Sequence, residues 1–274
     1  MTVLAKKFSH IKVDEKGRDH LVIPDDHASP FDTFDRYEWL GQFILEKQPE
    51  VIVKIGDSWD MPSLSSYDKG KKSHTVTKNV KADIESGHYS EQLLFGPIIQ
   101  YNNTMTKWKK RKYNPLIVKC IGNHEFRLKR MLEYEPQWEG TVDMGIFRTR
   151  LDLDEVVVPY LDYDIFDGVG YSHYFVSGVQ GRPASSAAAM IRKTGISCTM
   201  GHVHTLDYAT QKRADGKLTR GVFCGSFHDK NHESFAGKQV DNVWWNGVIY
   251  KHNVIEGDYD IEEWSVERLE REYS

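Results

Sequence analysis

The chain has no apolar stretch approaching the roughly 20 residues needed to cross a bilayer, and its amino terminus, Met1-Thr2-Val3-Leu4-Ala5-Lys6-Lys7, lacks the apolar core of a secretory signal. Both absences lead us to expect a cytoplasmic protein without a membrane partner. Cysteine is scarce: Cys120, Cys198 and Cys224 are odd in number and have neither the spacing of a thiolate metal site nor that of a disulfide framework. Two of them fall inside apparent strands, which suits buried, reduced thiols in packing roles. There is no excess of positive charge either. A formal charge of −4 gives no global reason for tight binding to duplex nucleic acid, because affinity for a polyanion grows with the phosphates neutralised. Two local basic clusters, Lys107/Lys109/Lys110/Arg111/Lys112 and Lys69/Lys71/Lys72, read first as solvated helix ends or loops. With 274 residues, 39% of them hydrophobic, the chain can bury one large core. No composition break divides it, so a single domain over 1–274 is expected.

Against these absences stand five short segments that place metal-binding side chains just after an apolar run. They are Asp25-Asp26-His27, Gly56-Asp57-Ser58-Trp59-Asp60, Gly122-Asn123-His124-Glu125, His173, and Gly201-His202-Val203-His204. Each alone is ambiguous: Asp25-x-His27 could be a turn with a helix cap, Gly56-Asp57 a strand-ending turn, and His173 a hydrogen-bonded structural residue. Their order and what precedes them decide. The runs 20–24, 51–55, 116–121 and 196–200 are short and rich in β-branched residues, as buried strands are, and 168–172 leads into His173. Polar residues thus gather at the carboxyl ends of strands, where open α/β sheets bind ligands. Asp26, beside two of these residues, is left as either a supporting group or an exposed one.

Between the segments, 31–48 has helical spacing of Tyr37, Leu40, Phe43, Ile44 and Leu45, with Asp32 or Thr33 as a possible cap. A strand, a carboxylate site and a helix make one βα unit, and 51–55 gives the next parallel strand. Residues 61–115 exceed what one crossover needs and hold Lys/Ser/Gly-rich text at 67–77 and a long helix at about 80–112. This is the expected place for substrate-specific elaboration. A helix runs on from Glu125, so its positive dipole end would lie near an anionic substrate. Residues 136–154 are irregular. A small-residue helix, 184–193, stops at Thr194-Gly195. The remainder reads as antiparallel, with hairpins about 214–217 and 256–258, the second joining strands 243–254 and 261–269. Crossover units followed by hairpins indicate a mixed α/β protein of two packed sheets with helices outside.

The five segments resemble the calcineurin-like metallophosphoesterase superfamily, whose pattern is Asp-x-His, Gly-Asp-x-x-Asp, Gly-Asn-His-Glu, a lone His, and Gly-His-x-His. The match spans residues 25–204. Text at 61–71 and Trp244-Trp245-Asn246-Gly247 is similar to bacteriophage and prophage members, which implies a virus-encoded protein acting in a bacterial cytoplasm. The resemblance implies an α/β fold, a four-layer α-β-β-α sandwich of two mixed sheets flanked by helices. It further implies that Asp25, His27 and His204 hold one metal and Asn123, His173 and His202 the other. Asp57 bridges both, His124 is the general acid, and Asp60 orients it. The other histidines are taken as structural, with His228 the one nearest a strand end that could reach the site.

The chemistry is consistent with that pattern. A bridging carboxylate can hold two divalent cations roughly 3.5–4 Å apart, lowering the pKa of a shared water and clamping the attacking and leaving oxygens. Oxygen and imidazole donors favour manganese, with iron, zinc or nickel as alternatives, over magnesium or calcium. The expected function is a dinuclear metal-dependent phosphoesterase that hydrolyses esters with a metal-bridged hydroxide, its favoured substrates nucleic acid or nucleotides. The alternatives are a phosphomonoesterase, a virus factor that destroys a host nucleotide signal, and a non-catalytic metal-containing binding protein. Met61-Pro62 after Asp60 and Phe126 after Glu125 depart from the arginines of the protein phosphatase branch, which makes that activity less expected. The oligomeric state is left open.

Overall fold

A computed structural model of the chain describes residues 16–65, 79–229 and 243–274. The 67–77 text, the Lys69/Lys71/Lys72 cluster, His10, His74 and His232 lie outside the described residues. In chain order the strands are Arg18–Ile23 (β1), Val51–Lys54 (β2), Leu116–Cys120 (β3), Glu155–Val158 (β4), Asp164–Phe166 (β5), Val169–Tyr171 (β6), Ser197–Met200 (β7), Leu206–Lys212 (β8), Leu218–Cys224 (β9), Gly247–Ile255 (β10) and Asp258–Ser265 (β11). The helices among the described residues are Asp35–Lys47 (α1), Val80–Lys107 (α2), Phe126–Tyr134 (α3), Ala187–Thr194 (α4) and Val266–Tyr273 (α5).

The β-branched runs pair as their apolar faces require. One sheet has the order β11-β10-β1-β2-β3-β4 and the other β5-β6-β7-β9-β8. In the first, β1 to β4 are parallel, with His20 opposite Val51 and Val51 opposite Leu116, so their carboxyl ends align. β10 and β11 extend this sheet antiparallel. In the second, β6, β7 and β9 are parallel and the β8–β9 hairpin is antiparallel. Alternation along β1 separates the layers. Leu21 and Ile23 face a core under α1, α2 and α5, whereas Val22 joins Val53, Ile55, Val118, Tyr171 and Val222 between the two sheets. Ala187, Met190 and Ile191 of α4 cover the outer face of the second sheet over Cys198, Met200 and Phe223. The result is the four-layer α-β-β-α sandwich expected, with all three cysteines buried and free.

Several boundaries differ from expectation for local reasons. Helix α1 starts at Asp35 without a side-chain cap, because Asp32 pairs with Arg36 and the Thr33 hydroxyl bonds Asp229. Helix α2 stops at Lys107: the Asn102 side-chain amide pairs with the backbone N–H and C=O of Tyr113 and turns the chain back, leaving Lys109, Lys110, Arg111 and Lys112 exposed. Residues 266–269 are helical rather than strand, because Ser265 caps α5 by accepting from the Arg268 N–H and Val266 and Leu269 pack into the core. β4 and β5 are not among the strands assigned from the sequence, although Val156-Val157-Val158 is a β-branched run of the kind that forms strands. The first is an edge strand of half-buried residues, the second only three residues long.

Between the sheets, Lys251 of β10 is fully buried, its ammonium on the Thr199 hydroxyl and 3.3 Å from the Tyr171 hydroxyl. Its Nζ lies 4.7 Å and 4.5 Å from the ring centroids of Tyr171 and Tyr259. Burial lowers its pKa to about 7. The unfolded chain therefore binds more protons than the native one between about 7 and the usual lysine value near 10.4, and native stability rises with pH across that window. We expect wild type to gain about 2 kcal/mol relative to Lys251→Met as pH goes from 7 to 9. Chemical denaturation at both pH values measures it; a pH-independent difference would show that Lys251 titrates normally.

Candidate metal centre

All five segments emerge at the same edge of the sandwich. Asp25 and His27 follow β1, Asp57 and Asp60 follow β2, Asn123 and His124 follow β3, His173 follows β6, and His202 and His204 follow β7. The chain turns sharply there. His27 (φ 45°), Asp57 (φ 50°), His202 (φ 68°) and His204 (φ 57°) all adopt left-handed backbone conformations that non-glycine residues rarely take, and such strain concentrates at functional sites. Tertiary hydrogen bonds hold it: the His27 N–H donates to the Asp57 carbonyl at 2.9 Å and the Trp245 N–H to the His204 carbonyl at 3.0 Å. The motif glycines allow close approach. A Cβ at Gly122 would collide with the Asp57 carboxylate, and one at Gly201 with that of Asp25.

Three clusters of donor atoms, each with its atoms within 4.8 Å of one another, occur among the described residues: Asp25/His27/His204, Asp57/His173/His202, and His27/Asp57/His124. In the first, His204 Nε2 is 3.2 Å from Asp25 Oδ2 and 3.4 Å from His27 Nε2. In the second, His173 Nε2 is 3.3 Å from Asp57 Oδ2, 3.2 Å from His202 Nδ1 and 3.0 Å from Asn123 Oδ1. The third links them through Asp57 and brings in His124. The His124 Nδ1–H is 2.9 Å from the Asp60 carboxylate and 2.8 Å from its carbonyl, while Asp60 Oδ1 also takes His27 Nδ1 at 3.2 Å. Every sequence-predicted site residue is thus in one contiguous group.

Electrostatics divide the group. Burial alone would raise the Asp57 carboxyl, but His173 and His124 facing it hold it well below its ordinary value. Asp60 is likewise held low by its bonds to His124 and His27, and Asp25 by His204 and His173. Burial pushes His27 and His202 down to about 4, so both rings are neutral. Burial would also lower His173, but Asp57 and Asp25 raise it to about 9. Neutral imidazoles and ionised carboxylates are the forms that ligate metals. Ring nitrogens of different histidines converge on one another beside carboxylate oxygens, and a cation at each convergence would satisfy all of them. The donors are nitrogen and oxygen only, so the set fits borderline divalent ions.

Supporting groups complete the site, and sequence inspection assigned most of them no role. Glu125 is buried, and its two carboxylate oxygens accept N–H bonds from Gly122 (2.9 Å), Asp57 (3.1 Å), Ser58 (2.5 Å) and Trp59 (3.0 Å). Asp26 is fully buried and faces Lys54 Nζ at 3.1 Å, which resolves it as a supporting residue rather than an exposed one. Arg127 donates to the Asp60 carbonyl at 2.8 Å and brings its guanidinium to 2.9 Å from His124 Nε2. Its position three residues after His124, across the turn that leads into α3, was the available signal. His228 lies 5.7 Å from the His204 ring, and Trp244 packs edge-on against both at 4.6 Å and 5.3 Å.

No protein-family profile matches the chain. Two proteins described only as "Gene 54 protein", from Mycobacterium phage D29 and Mycobacterium phage L5, are each 26% identical over 189 residues, covering 67% of this chain and 68% of their own. Yfce, a phosphoesterase from E. coli, aligns over 90% of this chain and 99% of its own at 12% identity and a TM-score of 0.36. No described helix is long and apolar enough to cross a membrane.

Replacing Glu125 by glutamine turns an amide NH2 toward N–H groups that need an acceptor. We expect Glu125→Gln to cost about 1–3 kcal/mol and to displace the Asp57 loop, read as a lowered melting temperature together with weakened divalent-cation binding. Unchanged melting and metal affinity would show that the four N–H bonds are not what holds the loop.

Proposed function

We propose that this chain is a calcineurin-like phosphoesterase, similar to phage-encoded members, that carries two divalent cations and hydrolyses phosphate esters, with nucleotides or nucleic acid as substrate. The observation that carries this is the position of Asp57, whose carboxylate belongs to the cluster with His173 and His202 and also to one with His27, which in turn belongs to the cluster with Asp25 and His204. Asp25, His27 and His204 would hold one ion, Asn123, His173 and His202 the other, and Asp57 both. Bound there, manganese, iron, zinc or nickel would supply Lewis acidity toward the phosphoryl oxygens and activate water near neutral pH. In the same reading the chain is one domain, with 61–115 as an elaboration that shapes substrate access, and it acts in the bacterial host cytoplasm.

The protein's own part follows from its contacts. Asp60 accepts the Nδ1 proton of His124 and fixes the ring, so that Nε2 faces the Asp57 side of the centre at 3.8 Å from Oδ2. In the imidazolium form, which Asp57 and Asp60 favour against burial, Nε2 carries a proton in place of its contact with Arg127, and His124 can give that proton to the departing ester oxygen. Arg127, anchored on two backbone carbonyls, keeps a permanent positive charge beside Nε2, where negative charge accumulates as the ester bond breaks. A scaffold that had lost catalysis would be expected to lack the shared carboxylate or the acid, and both are present.

The test is hydrolysis of bis-p-nitrophenyl phosphate, p-nitrophenyl phosphate, single-stranded DNA and cyclic nucleotides with manganese supplied. We expect diester cleavage, lowered by about 10²–10⁴-fold in His124→Ala at unchanged metal content, and loss of bound metal in Asp57→Asn. Activity on the monoester alone would favour a phosphomonoesterase. Metal-replete protein inert on every substrate would favour the binding-protein alternative.

A further inference from the structure

Beside the metal centre lies a cavity of about 380 Å³ that the site as described does not use. Its lining includes Ile121, Phe126, Lys129, Met144, Arg148 and Tyr160. Two of these lead toward the centre. Phe126 follows Glu125 at the start of α3, and the Tyr160 hydroxyl lies 3.1 Å from that of Tyr174, whose ring sits 4.6 Å from the His202 ring. The rings of Phe126 and Tyr160 lie against each other, 4.5 Å apart at 30°, as an aromatic pair in the lining. Two exposed cations line it: Lys129, whose Nζ is 5.6 Å from the Phe126 ring, and Arg148, whose guanidinium is also 3.8 Å from the Glu155 carboxylate. The volume falls in the range of small-molecule sites, and a largely apolar lining with an aromatic pair and exposed cations suits a heterocycle joined to an anion.

We propose that this cavity receives the nucleoside attached to the phosphate at the metal centre, its base against Phe126 and Tyr160, with Lys129 and Arg148 facing the next phosphate along the strand. The position of the scissile phosphate rests on the phosphoesterase reading; the nucleoside pocket itself does not. Met144, Arg148 and Tyr160 come from segments without strong periodicity, which is why the pocket has no local motif.

Calorimetric titration of the manganese-loaded protein with adenosine 5′-monophosphate and with ribose 5-phosphate tests it. The mononucleotide should bind at least about 5-fold more tightly, as expected for one stacked base, and Phe126→Leu and Tyr160→Leu should each remove most of that preference while leaving ribose 5-phosphate affinity unchanged. Leucine keeps the cavity filled, and circular dichroism checks that each variant folds. Equal affinity for the two ligands, or a preference that survives both substitutions, overturns the proposal. Adenosine titrated into metal-free protein separates the two readings. Binding that depends on Phe126 in a protein that hydrolyses nothing keeps the pocket and removes the phosphoesterase. Hydrolysis without base preference does the reverse.

Discussion

The centre depends on one buried carboxylate that is not itself among the proposed metal ligands. Glu125 accepts the N–H groups of Gly122, Asp57, Ser58 and Trp59, and so fastens the turn after β2 to the turn after β3. Four donors on two oxygens leave little freedom for either turn. The left-handed conformation of Asp57 persists because this clamp, with the His27 N–H on the Asp57 carbonyl, over-determines it. The His124 N–H then donates to Asp57 Oδ1 at 2.8 Å, leaving Oδ2 toward His173 and His124 Nε2.

Charge is arranged around the same point. Burying Asp25, Asp57 and Asp60 together would be costly if they faced one another alone. Instead each faces imidazole nitrogens, and each carboxyl is held below its ordinary pKa despite burial. The arrangement is ready for cations, whose charge would take over the balance that His173 provides without them. A second buried layer lies on the helix side of the first sheet: Lys54 with Asp26 ties β2 to the turn after β1, and Lys119 with Glu91 and Glu155 ties β3 to α2 and β4.

Aromatic side chains border the centre on two sides, with Trp244 beyond His204 and Tyr174, Tyr160 and Phe126 beyond His202. In the proposed function, substrate selection would fall to these walls rather than to the metal ligands. The walls draw on segments far apart in sequence: the turn after β3, the loop after β4, the segment after β6 and residues before β10.

The sequence determined the strands and the turns that follow them. Period and β-branched content place β1, β2, β3 and β7, and Gly-Asp, Gly-Asn-His-Glu and Gly-His-x-His mark turns where only glycine admits a neighbouring side chain: the His173 ring at Gly56 and the Asp57 and Asp25 carboxylates at Gly122 and Gly201. Those signals are local, so they survive without knowledge of the fold. Tertiary structure decided the rest: that His173 meets Asp57, that Asp26 is buried on Lys54, that Arg127 reaches His124, and that Phe126 and Tyr160 form one wall. Each of these needs the packing of residues between 3 and 116 positions apart, and apart from the helical spacing of Arg127 and His124 no sequence period encodes such contacts.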